Sequence, residues 1–158
     1  MLAAVARKLD AWMVEQNLAA RDEGLPALRA CRIRVLGQVA LLEARAPLQL
    51  TLTNDVDVQA DYEHATEVEF RRLLAREGKE LDPVGHEIWM PKETRYQRFF
   101  EGECVTFELA EIDAVLLSKA LKAPHKNRAL IVEYLAGGAS ERFLAMAKRY
   151  RLDLEQFL

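Results

Sequence analysis

The chain has 158 residues, 51% of them apolar and 30% charged, with a formal charge of -3; this describes one globular domain able to bury its own core, without an overall basic field for nucleic acid, although a local patch is not excluded. Cys31 and Cys104 offer no disulfide framework and no metal-ligand spacing with His64 or His86, which points to a reducing cytoplasm. No apolar run reaches membrane-spanning length, and Asp10 and Glu15 interrupt the first apolar stretch, so neither a membrane span nor a signal peptide is expected.

Leu2, Val5, Leu9, Trp12 and Met13 recur at helical spacing and predict a helix over 2–20, stopped by Asp22-Glu23-Gly24 and Pro26. A short helical piece over 27–30 completes an N-terminal arm, residues 1–30. Ile33 to Leu36 reads as a short buried strand ending at Gly37, and 38–45 resumes helical composition until Pro47. Strand, glycine turn and helix together aim backbone N–H groups and a positive helix end at an anion. On its own, one glycine there does no more than make a turn.

Residues 49–59, QLTLTNDVDVQ, are β-branched around alternating acidic and apolar positions, and predict a strand. Side chains two apart on a strand leave from the same face. Asp55, Asp57 and Gln59 should therefore look one way while Val56 and Val58 hold the other side to a core. Two carboxylates so close resist joint ionisation unless a cation joins them. Mg²⁺ is satisfied by one or two carboxylates with water and phosphate oxygens, which suggests metal-assisted phosphoryl or nucleotidyl transfer. The plainer reading is the solvated face of an edge strand.

A third helix is expected after Asp61, running to about Arg76, with Thr66, Phe70, Leu73 and Leu74 inward. Residues 86–90, HEIWM, suggest a strand cut by Pro91; 96–100 are ambiguous; 103–108 alternate as another strand. Residues 31–110 thus make a sheet core, and 111–158 a helical C-terminal segment. Over 111–122 the stripe Ile112, Val115, Leu116 includes Lys119. A lysine in an apolar stripe either snorkels to water or meets an anionic ligand. Residues 126–135 and 141–150 form the last helices, with Gly137-Gly138 ending the first and Ser140 capping the second. The cluster Lys148, Arg149 and Arg151 reads as a solvated face. The whole is an α/β (α+β) domain, a mixed sheet flanked by helices.

In this order the chain resembles the polymerase-beta-like nucleotidyltransferase superfamily, above all the small bacterial members related to abortive-infection toxins. Gly37-Gln38-Val39-Ala40 stands where Gly-Gly-x-Ala is expected, Thr53-Asn54-Asp55-Val56-Asp57 matches Thr-x-Asp-x-Asp, and Leu116-Leu117-Ser118-Lys119-Ala120-Leu121 matches the lysine helix. The resemblance implies Asp55 and Asp57 as metal ligands for Mg²⁺ or Mn²⁺, with Glu87, or else Glu108, as a third catalytic carboxylate. It implies Gly37, Gln38, Thr53 and Lys119 around the nucleotide, with His125, Lys126 and Arg128 near enough to assist. The substrate would be an NTP and the acceptor an RNA, a protein or a small molecule. There are departures: Gln38 replaces the second small residue, Thr51 replaces an arginine, and Lys126-Asn127-Arg128 lacks the acids of a Lys-Asp-x-x-Asp helix. They leave open a non-catalytic member acting as a binding partner in a toxin–antitoxin or defence pair.

Overall fold

A computed structural model describes residues 1–158. Helices α1 (Leu2–Asp22), α2 (Gly37–Glu43), α3 (His64–Arg76), α4 (Ile112–Lys122), α5 (Arg128–Ala136) and α6 (Glu141–Arg149) surround strands β1 (Cys31–Leu36), β2 (Asp55–Ala60), β3 (Glu80–Leu81), β4 (Tyr96–Glu101) and β5 (Val105–Ala110). The five strands form one mixed sheet in the order β3-β2-β1-β5-β4. β1 runs antiparallel to β2 and parallel to β5, and β4 closes the far edge antiparallel to β5. The domain is α+β, and no helix is long and apolar enough to cross a membrane.

Period-two alternation decides what each face of the sheet meets. Ile33, Val35, Val56, Val58, Val105, Phe107 and Leu109 look one way and are buried. α1 and α3 pack on that face; Phe70 of α3 meets Phe107 edge to face at 5.6 Å. α1 earns its place through Leu2, Val5, Leu9 and Met13, all buried. It also carries Asp10, whose carboxylate accepts backbone N–H groups from Glu103, Cys104 and Val105 at 2.7–3.1 Å. That contact ties the long helix to the β4–β5 turn.

The opposite face carries Arg32, Arg34 and Leu36 of β1, Asp57 and Gln59 of β2, and Thr106, Glu108 and Ala110 of β5. Only one end of it is covered. Leu36 and Ala110 are buried where α2 and α4 stack, with α6 beyond, whereas the arginine end is open.

Three expectations are corrected. Residues 86–90 form no strand: a 3₁₀ turn at Gly85–Glu87 carries the chain across β2, whose free edge β3 already occupies. Ile88, Trp89 and Met90 still pack on the core, while Glu87 is exposed. In the 49–59 stretch only Asp55–Ala60 is strand, because β1 ends at Leu36 and leaves residues before Asp55 nothing to pair with. Residues 27–30 are irregular rather than helical. The ambiguous 96–100 segment is β4, and Ser140 caps α6 by accepting the Phe143 N–H.

Candidate functional site

β1 ends at Leu36, and Gly37 turns the chain into α2 with φ +62°, a left-handed conformation that glycine adopts without penalty. Leu36 pairs with Asp57 across β1 and β2, so the carboxylate lies directly against this turn. A Cβ on Gly37 would stand 2.5 Å from Asp57 Oδ2. On the other side, a Cβ on Gly85 would stand 2.9 Å from the Asp57 Cα and 3.0 Å from Oδ1. Two glycines thus make the slot in which Asp57 sits.

Above the slot lies a cleft of about 280 Å³ lined by Gly37, Asp57, Asp82, Ser118, Lys119, Lys122, Lys126 and Asn127 among others. α4 supplies three of these side chains, at positions 118, 119 and 122, because its apolar face through Val115, Leu116 and Ala120 docks it across the sheet. Ser118 Oγ donates to the Trp89 carbonyl at 2.5 Å, and Lys122 Nζ lies 5.2 Å from the Trp89 ring centroid. Asn127 Nδ2 donates to the Ala123 carbonyl at 3.0 Å, fixing the bend after α4.

The electrostatics are those of a site that opposes the charges it carries. The Asp57 carboxyl is pushed up to about 6, first by burial and then by Asp82, which also lies within hydrogen-bonding reach, and by Asp55; Lys119 pulls the other way. Its Oδ1 is buried without a hydrogen-bond partner. Lys119 is lowered by burial and by Lys126, against the opposing effect of Asp57. Half-buried acids and bases with such opposed environments, placed in a cleft, make it a candidate functional site.

The sequence-derived residues divide clearly. Gly37, Asp57 and Lys119 come together. Asp55 shares the face of Asp57 but stands at the exposed start of β2. Glu87 points to solvent, its side chain 68% exposed beside His86. Glu108 lies across β1, paired with Arg32 and Arg34. Gln38 turns away from the cleft, its Nε2 donating to the Thr51 carbonyl at 2.9 Å, and Thr53 Oγ1 accepts the Asp55 N–H at 3.2 Å. His125 and Arg128 do not line the cleft, whereas Lys126 does. Asp82 and Lys122 were missed. Asp82 sits in a turn after a two-residue strand, and no local pattern links it to Asp57; its Oδ1 caps the Val84 N–H.

The donor set suits an ion that brings most of its own ligands. No three His, Cys, Asp or Glu side chains gather closely enough to hold a metal unaided. Asp57 and Asp82 form a pair whose repulsion, and whose orphaned oxygen, a Mg²⁺ ion shared with phosphate would relieve. A larger cleft of about 570 Å³ opens between Tyr96, Asp113 and Tyr134. Its one buried-side network is closed, with Tyr134 Oη and Ser140 Oγ donating to Asp113 at 2.8 and 2.7 Å, while the Arg95 and Gln97 side chains at its rim have no side-chain partner. Volume favours the larger cleft, whereas the buried unpartnered oxygen of Asp57 belongs to the smaller. No protein-family model, curated protein or solved structure matches the chain.

Proposed function

We propose that the Asp57 cleft binds a nucleoside triphosphate with Mg²⁺ and transfers its nucleotidyl group to a hydroxyl acceptor. The observation that carries this reading is the meeting of Gly37, Asp57 and Lys119, which are 20 and 62 positions apart along the chain, in one cleft with Asp82. The resemblance of the Thr-x-Asp-x-Asp strand and the lysine helix to nucleotidyltransferases supports it.

Asp57 and Asp82 would hold the ion, which supplies neutralisation of phosphate charge and polarisation of the reacting groups when bound. Lys119, Lys122 and Lys126 supply cationic donors along one wall for the phosphate chain. In the transfer the acceptor oxygen bonds to the α-phosphorus, the bond from the α-phosphorus to the bridging oxygen breaks, and pyrophosphate leaves. The hydroxyl proton passes to solvent water, and Asp57 contributes as a ligand that orients the reacting groups rather than as the base.

Calorimetry with each of the four NTPs and Mg²⁺ tests the binding step. Heat from the natural chain that disappears in Asp57→Ala/Asp82→Ala supports the reading, and silence with all four nucleotides removes it. One observation favours a second reading, a binding partner without catalysis. Gln38, where a small residue is expected, ties the 44–54 loop back over the Gly37 turn through Thr51. Under that reading a stable protein partner co-purifies and no label moves from NTP to any acceptor.

A further inference from the structure

The larger cleft shares no lining residue with the Asp57 cleft, although α4 runs between them. Ile112 and Asp113 at the start of that helix line one, and Ser118, Lys119 and Lys122 line the other. The apolar lining of the larger cleft comes from Ala44, Leu109, Ala110 and Ile112, with the rings of Tyr96 and Tyr134. Phe143 braces Tyr134 edge to face, 4.9 Å between ring centroids. At about 570 Å³ the cleft has the size of a small-molecule site.

Two charges in this lining lack a counter-ion. The Arg95 side chain is exposed and makes neither an ion pair nor a hydrogen bond; only its backbone N–H is engaged, by Glu111. The arginines of the open sheet face differ, since Glu108 answers Arg32 and Arg34, and Glu101 answers Arg98. Asp113 is half-buried, and the two groups that donate to it, Tyr134 and Ser140, are neutral hydroxyls. Arg142 feels the Asp113 charge but closes on Glu111 and on the Glu93 carbonyl.

The hydroxyls orient Asp113 because they are themselves fixed. Tyr134 Oη accepts the Ser140 N–H at 3.1 Å, and Ser140 Oγ accepts the Phe143 N–H at 3.0 Å. Each Asp113 oxygen keeps lone-pair capacity for a further donor. A carboxylate held in this way beside apolar surface suits an ammonium group, and the unpaired Arg95 fork suits a second carboxylate. A ligand with one charge satisfies half of this arrangement: an anion alone meets the charge of Asp113, and a cation alone leaves Arg95 unanswered.

We infer that the larger cleft binds a ligand of the amino-acid class, with its ammonium on Asp113, its carboxylate on Arg95 and an apolar side chain against Ala110 and Ile112. A free aromatic amino acid and a short peptide share that chemistry. For a peptide, the unpartnered Gln97 amide at the rim offers a donor and an acceptor to the peptide group.

The test is titration calorimetry of the full chain with four probes. L-Phenylalanine and the dipeptide alanyl-phenylalanine carry both charges, phenethylamine lacks the carboxylate and 3-phenylpropionate lacks the ammonium. At least one zwitterion should bind, with each truncated probe about tenfold or more weaker. The tighter zwitterion identifies the source, free amino acid or peptide. Arg95→Gln should bring the zwitterion down to the affinity of phenethylamine, whose own binding stays as it was. Asp113→Asn should bring it down to that of 3-phenylpropionate. A merely structural role would weaken every probe alike. Arg95 is exposed at the rim, so Arg95→Gln decides alone should Asp113→Asn fail to fold. No heat from either zwitterion, a truncated probe as tight as the zwitterion, or variants that bind like the natural chain would each overturn the assignment. NTP heats should be the same for Arg95→Gln and the natural chain. Failure here therefore leaves the transfer reading standing, and silence with every NTP leaves this site standing.

Discussion

Gly37 and Asp57 fill one space between them: the hydrogen of Gly37 points where a Cβ would stand 2.5 Å from Asp57 Oδ2, and the backbone there is left-handed at φ +62°. Crowding and backbone conformation act together. Gly37→Ala should destabilise the domain by about 1–2 kcal/mol from the left-handed backbone alone, more if the carboxylate cannot move. Urea unfolding measures the loss. A variant as stable as the natural chain would show that the turn relaxes freely and does not fix the carboxylate.

Asp57 has its own dependence on pH. Its folded value, about 6, lies above the ordinary value of 3.8, so the folded state prefers the protonated group. Its favourable contribution is full below about pH 4 and is lost as pH rises through about 6. Asp57→Asn should therefore stabilise the apoprotein at pH 7.5 by about 1–2 kcal/mol after discounting for solvent screening, with the advantage vanishing near pH 4. Thermal melts across that range check it. A gain that grows toward acid would contradict the sign.

Lys119 is held below its usual range by burial and Lys126, and a bound polyphosphate should raise its proton affinity again by pairing with the ammonium. Lys119→Met should weaken NTP binding by about tenfold to a hundredfold, about 1.4–2.8 kcal/mol. Calorimetry reads the loss of affinity. Unchanged affinity would place the phosphates elsewhere.

Asp10 anchors α1 to the sheet through three backbone N–H groups of the β4–β5 turn, and Gly102 packs so closely on its carboxylate that a side chain there would collide. Asp10→Ala leaves those donors without the carboxylate and should cost about 2–3 kcal/mol. Faster amide exchange at Cys104 and Val105 would accompany it. A surface-like loss of a few tenths would mean that water replaces the carboxylate.

The six helices and most strands were legible because their periods were intact. α3 showed Thr66, Phe70, Leu73 and Leu74 at helical spacing, all of them buried, and Val56 and Val58 alternated with Asp55 and Asp57 as a half-buried strand must. Failures came where an element depended on a neighbour distant in sequence. HEIWM had strand composition, but the edge it needed was taken by Glu80 and Leu81.

The same division runs through the site. Sequence by itself determined that Gly37 ends a strand, that Asp57 projects opposite Val56, and that Lys119 sits in an apolar stripe, since each follows from local backbone geometry. It named Glu87 as a partner and missed Asp82, because which acid reaches Asp57 depends on how the chain crosses β2 after β3. Only tertiary structure decided that Arg32, Arg34 and Arg98 lie on one open face: strand order, not spacing along the chain, brings charges from separate strands within reach of one another.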